Sequence, residues 1–342
     1  MSFRAWLSVI TLVLIAAIIF FSRHELERAW ELLGSVNIWI LLLLIPGQLL
    51  VYYTGGEMIF SYLRAKKSIE DVSSGELTRM ALEMNFVNHV LPSGGVSGIS
   101  YMTWRLGKHN VSPSRAAMAQ VVRFAMTFVA YMILLVIAVV VVTIDGDINR
   151  WVILVSSMLV AIMVGSILAG IYLLGSQKRM EKAADRIVRA TNHIARKVTF
   201  GKKKRVLARA KVEAFFDELH RDYLALRHDK RILIKPLLWG IVFTVLDVAL
   251  FMITFWALGV PVNPAPVLIA YGVAAIAGFF VITPGGAGAY EAIMVAFLAV
   301  AGLSQGTAIA GIVLTRVILL LGTIILGYAF YQMALVKYGK RS

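Results

Sequence analysis

The chain has 342 residues, of which 59% are hydrophobic and 15% charged, with a formal net charge of +15 and a mean hydropathy of +0.80. Soluble domains carry roughly 25% charged residues, so the composition excludes an ordinary water-soluble globule and indicates an integral membrane protein. Cysteine is absent, which excludes disulfides and thiolate chemistry, and no metal-ligand spacing, Walker or Rossmann motif occurs, so no cofactor is expected.

A bilayer core of about 30 Å needs about 20 apolar residues per helix, which allows the spans to be read in chain order. The first, 4–22, is followed by "SRHELERAW" rather than a small-residue cleavage site, so it reads as a retained span and not a signal peptide. A second span covers 38–63. The basic segment 64–80 leads into an apolar stretch, 78–104, interrupted at "LPSGG". Spans 115–143 and 151–176 follow, and then one long polar segment, in which residues 178–235 hold 18 Lys/Arg against 7 Asp/Glu. Span 236–258, a second interrupted stretch 265–302 with "TPGGAG" at its break, and span 306–336 complete the chain.

Lysine and arginine set the orientation. Segments 64–80, 105–115 and 178–235 and the tail "KYGKRS" are basic, whereas 144–150, 259–264 and 303–305 carry one Arg between them. The basic group is therefore placed in the cytoplasm, with both termini, in a multi-pass protein of the cytoplasmic (inner) membrane. Segment 23–37, with two Arg and three Glu, then falls outside as a modest exception. Parity requires each interrupted stretch to return to the side it entered from. The predicted fold is an all-α polytopic membrane protein of six full spans plus two re-entrant helical hairpins.

The order of span, span, hairpin, span occurs twice in opposite orientation, an inverted repeat. Repeat one and the first span of repeat two occupy 1–176, a basic amphipathic segment occupies 177–235, and the remainder of repeat two occupies 236–342. The spacing agrees: Pro92 to Arg123 is 31 residues and Pro284 to Arg316 is 32. Such repeats suit transporters, because the halves can exchange roles between inward-open and outward-open states.

Irregular backbone at membrane depth is tolerated where it lines protein or a wet cavity, so the breaks mark the candidate site. Gly94, Gly95 and Gly98 in the first hairpin, and Gly285, Gly286 and Gly288 in the second, permit close approach of a headgroup or close packing of helices. Intramembrane charges cost about 2.5–3.5 kcal/mol on insertion scales and usually face a cavity or a partner. Arg123 and Arg316 stand out, with Glu291 after the second break as a natural ion-pair partner. Asp247 lies mid-span, Glu83, Asn85, Asn88 and His89 crowd the approach to Pro92, and Arg105 ends the first hairpin. These residues read either as a headgroup site, with Glu291, Asp247 and His89 available for proton coupling, or as structural pairs clamping hairpin to span.

The segment "VEAFFDELHRDYLALRHDKRILI" places Phe215, Phe216, Leu219, Tyr223 and Leu226 on one face of an amphipathic helix, and "GKKKR" (201–205) is a charge run. The positive surplus between spans points to anionic lipid and not to nucleic acid.

Two stretches, "NHVLPSGGVSGISYMTWRLGKHNVSPSRAAMAQVVR" and "TPGGAGAYEAIMVAFLAVAGLSQGTAIAGIVLTR", resemble the signature regions of the lysylphosphatidylglycerol synthase transmembrane-domain family, also called the flippase-like domain family. The resemblance implies motif positions at Asn88, Pro92, Arg105 and Arg123, and at Pro284, Gly285, Gly286, Gly288, Glu291 and Arg316. Many relatives have a G-E pair after the first Pro, where this chain reads "GGVSGIS" without a carboxylate. Bifunctional members add a soluble synthase domain, and here the chain stops at Ser342, six residues after "QMALV". The resemblance therefore implies ATP-independent translocation of an anionic phospholipid or lipid-linked intermediate. An intramembrane lipid-modifying enzyme and a non-catalytic membrane scaffold are the alternatives, and homo-oligomerisation is left open.

Overall fold

The structure is a computed structural model; it describes residues 20, 23–34, 36–91, 96–144, 150–198, 208–280 and 288–338. Among the described residues it is all-helical. The helices are α1 (Arg23–Leu33), α2 (Ile38–Leu41), α3 (Leu44–Ala65), α4 (Ser74–Val90), α5 (Val96–Gly107), α6 (Pro113–Ile144) and α7 (Arg150–Leu174). After them come α8 (Gln177–Val198), α9 (Arg209–His228), a 3₁₀ turn (Lys230–Leu233), α10 (Ile234–Ala257), α11 (Pro264–Phe280), α12 (Ala289–Val300) and α13 (Gln305–Tyr338).

Five helical segments are long and apolar enough to cross a membrane: Ile38–Ala65, Pro113–Val141, Ile153–Leu174, Lys230–Ala257 and Gln305–Tyr338. They coincide with five of the six expected spans. The sixth, 4–22, lies outside the described residues apart from Phe20. The outer faces match lipid: Leu154, Met158, Leu168 and Ile171 on α7, and Val136, Ile137 and Val140 on α6, are exposed apolar side chains. A continuous apolar surface of this kind has no place in water. The protein is a multi-pass membrane protein.

Tryptophan marks one end. The Asn37 N–H donates to the Ala257 carbonyl at 2.9 Å, which brings the start of α2 to the end of α10, and Trp39 and Trp256 beside them are both exposed. Exposed indoles gather where hydrocarbon meets water. The opposite end is charged, carrying the Arg64–Glu57, Arg105–Glu83 and Arg115–Asp222 pairs.

The packing repeats itself. α3 and α10 cross at the centre, where Gly47 meets Leu250, Gly55 meets Phe243 and Gly240 meets Met58. The contacts α4–α5, α5–α6, α3–α4, α3–α6 and α6–α10 have counterparts in α11–α12, α12–α13, α10–α11, α10–α13 and α13–α3. α4 also packs on α13, and α11 packs on α6, so each half lays its interrupted stretch against the last span of the other. Small residues allow these approaches, as at Gly327 under Phe86 and Gly311 under Phe255.

The segment between the halves folds as α8 and α9. Leu219 and Leu226 are buried, and Phe215, Phe216 and Tyr223 pack on the same core, as the periodicity of that helix indicates. That core belongs to the protein itself, because α9 docks on α6. Arg115 holds Asp222 at 3.2 Å, Ser112 donates to Glu218, and the His220 ring Nδ1 lies 2.6 Å from the Leu174 carbonyl.

Candidate functional site

Arg123 and Arg316 occupy matching places on matching helices, ten and eleven residues after the first residues of α6 and α13. At 1.5 Å per residue that is about 15 Å of rise from the start of each helix. Their surroundings differ. The Arg316 Nε bonds Glu291 Oε1 at 2.8 Å, and its guanidinium lies 4.4 Å from the Tyr290 ring centroid. Two consecutive residues of α12 thus supply both a counter-charge and an aromatic face.

Glu291 does a second thing. Its Oε2 accepts from the Gly288 N–H at 2.7 Å, which is one half of a capping box at the start of α12. Gly288 has φ of 88°, a conformation that strongly favours glycine, so the chain can turn out of the second break directly into this cap. One carboxylate therefore fixes the helix that begins at the break and the arginine of the neighbouring span.

Arg123 has no such neighbour. It is partly exposed, its Nη1 lies 3.7 Å from the Met84 sulfur, and its Nη2 approaches Gly55. No carboxylate of the described residues lies within ion-pair distance of it, and the adjoining breaks contain no Asp or Glu. At the offset of 193 that aligns the two arginines, the positions matching Tyr290 and Glu291 are Ser97 and Gly98; at the offset of 192 that aligns the two prolines they are Gly98 and Ile99, again without a carboxylate. Gly98 serves packing: its N–H donates to Asn88 Oδ1 at 2.8 Å, and a Cβ there would collide with the Asn88 amide.

Asp247 on α10 meets the Tyr271 hydroxyl of α11 and lies within electrostatic reach of Arg316, while Arg123 is within reach of the same tyrosine. His89 places its Nδ1 at 2.8 Å from the Asn85 carbonyl, so that nitrogen carries the proton; it too is within reach of Arg316. Gln48 Nε2 lies within hydrogen-bond distance of Tyr52 Oη at 2.8 Å, the Leu319 carbonyl at 2.6 Å and Thr323 Oγ1 at 2.9 Å, joining α3 to α13. Sequence reasoning did not pick out Tyr52, Tyr271, Tyr290 or Thr323. Only Tyr290, next to Glu291 in chain order, had a local signal.

Arg105 stands apart from this group. It is 2% exposed, bonded to Glu83 at 2.8 Å, 3.7 Å from Glu76 and 4.3 Å from the Tyr338 ring centroid. The structure places it in a cluster at the charged end and not beside Arg123. Pro92, Gly94, Gly95, Pro284, Gly285 and Gly286 lie outside the described residues, as does the 201–205 charge run. Among the described residues no group of His, Cys, Asp and Glu is arranged to hold a metal ion.

An arginine held by a Tyr-Glu pair and an arginine without one thus lie on two long helices, α13 and α6. Residues 6–327 match the family described as the lysylphosphatidylglycerol synthase TM region. The chain belongs to that family. It is also similar to a UPF0104 membrane protein of Methanothermobacter thermautotrophicus, 23% identical over 250 residues that make up 72% of each chain. Family membership spans nearly all of the membrane body, including both breaks and both arginines.

Proposed function

We propose that this protein moves the headgroup of an anionic phospholipid or lipid-linked intermediate across the cytoplasmic membrane without ATP, while the tail stays in the bilayer. The observation that carries the reading is Arg123, a guanidinium about a third of the way along a helix long and apolar enough to cross a membrane, with no carboxylate partner among the described residues. A cation held in such a place is costly unless an anion compensates it. A lipid phosphate supplies that anion, and arginine suits it as a bidentate donor.

The frame supports the same reading. α4–α5 and α11–α12 are paired helices joined through Pro-Gly breaks, which we read as re-entrant hairpins of an inverted repeat, a sixth span being supplied by 4–22. The reciprocal packing of each pair on the other half's last span is what an alternating-access exchange requires. Arg316 acts with Glu291 as the second half-site, Asp247 and Tyr271 lie between the two arginines as proton acceptor and donor, and the basic segment 178–235 faces anionic lipid in the cytoplasmic leaflet.

The direct test is purified protein in liposomes carrying a fluorescent anionic phospholipid, with dithionite quenching of the outer leaflet. Faster loss of inner-leaflet fluorescence than in protein-free liposomes, with no nucleotide present, is the expected result. Rates equal to protein-free liposomes for phospholipid and polyprenyl phosphate alike contradict the proposal.

A further inference from the structure

We infer that Glu76, Glu83, Arg105, His109 and Tyr338 form a latch closing the transport path at the charged end of the molecule, and that its release opens the path to that side. The inference rests on the translocation reading above.

Glu76 and Glu83 lie on α4, Arg105 at the end of α5 and His109 just after it, all in the first half; Tyr338 ends α13, in the second. Arg105 and Glu83 form a pair whose side chains are each 3% exposed, and the Tyr101 hydroxyl donates to the same Glu83 oxygen at 2.9 Å. Glu76 Oε1 then accepts from the Tyr338 hydroxyl at 2.6 Å, with His109 Nε2 at 3.3 Å and Arg105 Nη2 at 3.7 Å within ion-pair distance of it. The Tyr338 ring covers the Arg105 guanidinium. The two halves are thus tied through one carboxylate and one aromatic ring.

Between this cluster and Arg316 the α4–α13 seam is closed by rings. Phe86 packs against Tyr328 and Tyr331 with centroids 6.0 and 5.4 Å apart, and Tyr101 lies 5.7 Å from Tyr331. The matching seam on the other side, where α11 meets α6, has a different chemistry. At the repeat offset of 193 residues, Glu76, Glu83, Tyr101 and Arg105 correspond to Ile269, Ile276, Met294 and Leu298, and Ile269, Met294 and Leu298 are fully buried in an apolar cluster. Apolar surfaces can slide past each other at little cost, whereas a buried ion-pair network holds one register and is lost as a unit. Equivalent seams closed by unlike means give the two faces unlike gates, the charged one being discrete.

The chain has no cysteine, so a single Met84→Cys substitution, at a buried position beside Arg123, reports access to the centre. Its modification by a membrane-impermeant maleimide is timed from each face of oriented vesicles. Tyr338→Phe removes the hydroxyl and keeps the ring, Glu76→Gln removes the shared charge, and Glu213→Gln, in an exposed pair on α9, is the control. The expected result is modification several-fold faster from the basic face in both latch variants, with the control at the parent rate. Parent rates in both folded latch variants overturn the inference. Lipid movement measured in the same vesicles separates the two readings. Faster labelling without lipid movement keeps the latch and removes the transport reading; lipid movement with unchanged labelling removes the latch.

Discussion

Arg123 and Arg316 lie at nearly the same distance from the starts of α6 and α13, and one carboxylate makes them different. Glu291 neutralises Arg316 and caps α12, while Gly98 at the matching position offers only a backbone N–H, already taken by Asn88. The two tasks of Glu291 can be separated by substitution. Glu291→Gln keeps an oxygen for the Gly288 N–H and loses the charge, whereas Glu291→Ala loses both. An N-terminal cap contributes about 1 kcal/mol, so thermal midpoints in detergent are expected to fall in the order wild type, Gln, Ala, with the Gln-to-Ala step near that size. Equal midpoints for the two variants would show that the cap contributes nothing.

At the scale of elements, the first helix pair is held by bonds near its break. Asn88 accepts from Gly98 and the Ser97 hydroxyl reaches the Val87 carbonyl at 3.3 Å, tying α4 to α5 across ten residues of sequence. Asn88→Ala leaves a part-buried N–H unpaired and is expected to cost about 1–3 kcal/mol. Gly98→Ala, which drives a methyl into Asn88, is expected to cost at least as much; hydrogen exchange of the Gly98 amide checks both, faster exchange supporting the clamp and wild-type protection refuting it. These helices were legible in the sequence because their signals are local: a Pro-Gly break inside an apolar run, and a parity of basic segments on either side. The amphipathic face of α9 was legible for the same reason, in its 3.6-residue period. What it packs on was not, since periodicity gives a buried face without naming lipid or protein as the cover.

For the molecule as a whole, the contacts that define the site and the latch join distant parts of the chain. Gln48 meets Thr323 across 275 residues and Tyr338 meets Glu76 across 262, separations at which a single sequence carries no pairing signal. Sequence reasoning therefore picks out the arginines and Glu291, which are conspicuous among apolar neighbours and of which Arg316 and Glu291 are paired, and passes over the tyrosines, which are not conspicuous. The charged end also has a pH signature. Burial pushes the Glu76 carboxyl upward, but the Tyr338 hydroxyl and the charges of His109, Lys337 and Arg105 outweigh it, and the group sits below its ordinary value of 4.5. A carboxyl lowered by folding stabilises the folded state above its unfolded pKa, and that contribution is lost as pH falls through the folded value. Stability is therefore expected to hold from pH 7 to about 5 and to fall below the ordinary carboxylate range. Glu76→Gln should flatten that acid limb in a thermal unfolding series, and an unchanged limb would exclude Glu76 as its source.

The central claim is that Arg123 waits for a lipid phosphate while Arg316 is already paired, and one comparison in liposomes tests it most directly. The initial rate of fluorescent anionic phospholipid movement is measured for wild type, Arg123→Ala and Arg123→Lys, each shown to be folded by its thermal midpoint. The account predicts a loss of about tenfold or more for Arg123→Ala, the equivalent of about 1.4 kcal/mol of lost phosphate interaction, with partial recovery in Arg123→Lys and no comparable loss of stability. An Arg123→Ala protein that is folded and moves the lipid at the wild-type rate would contradict it.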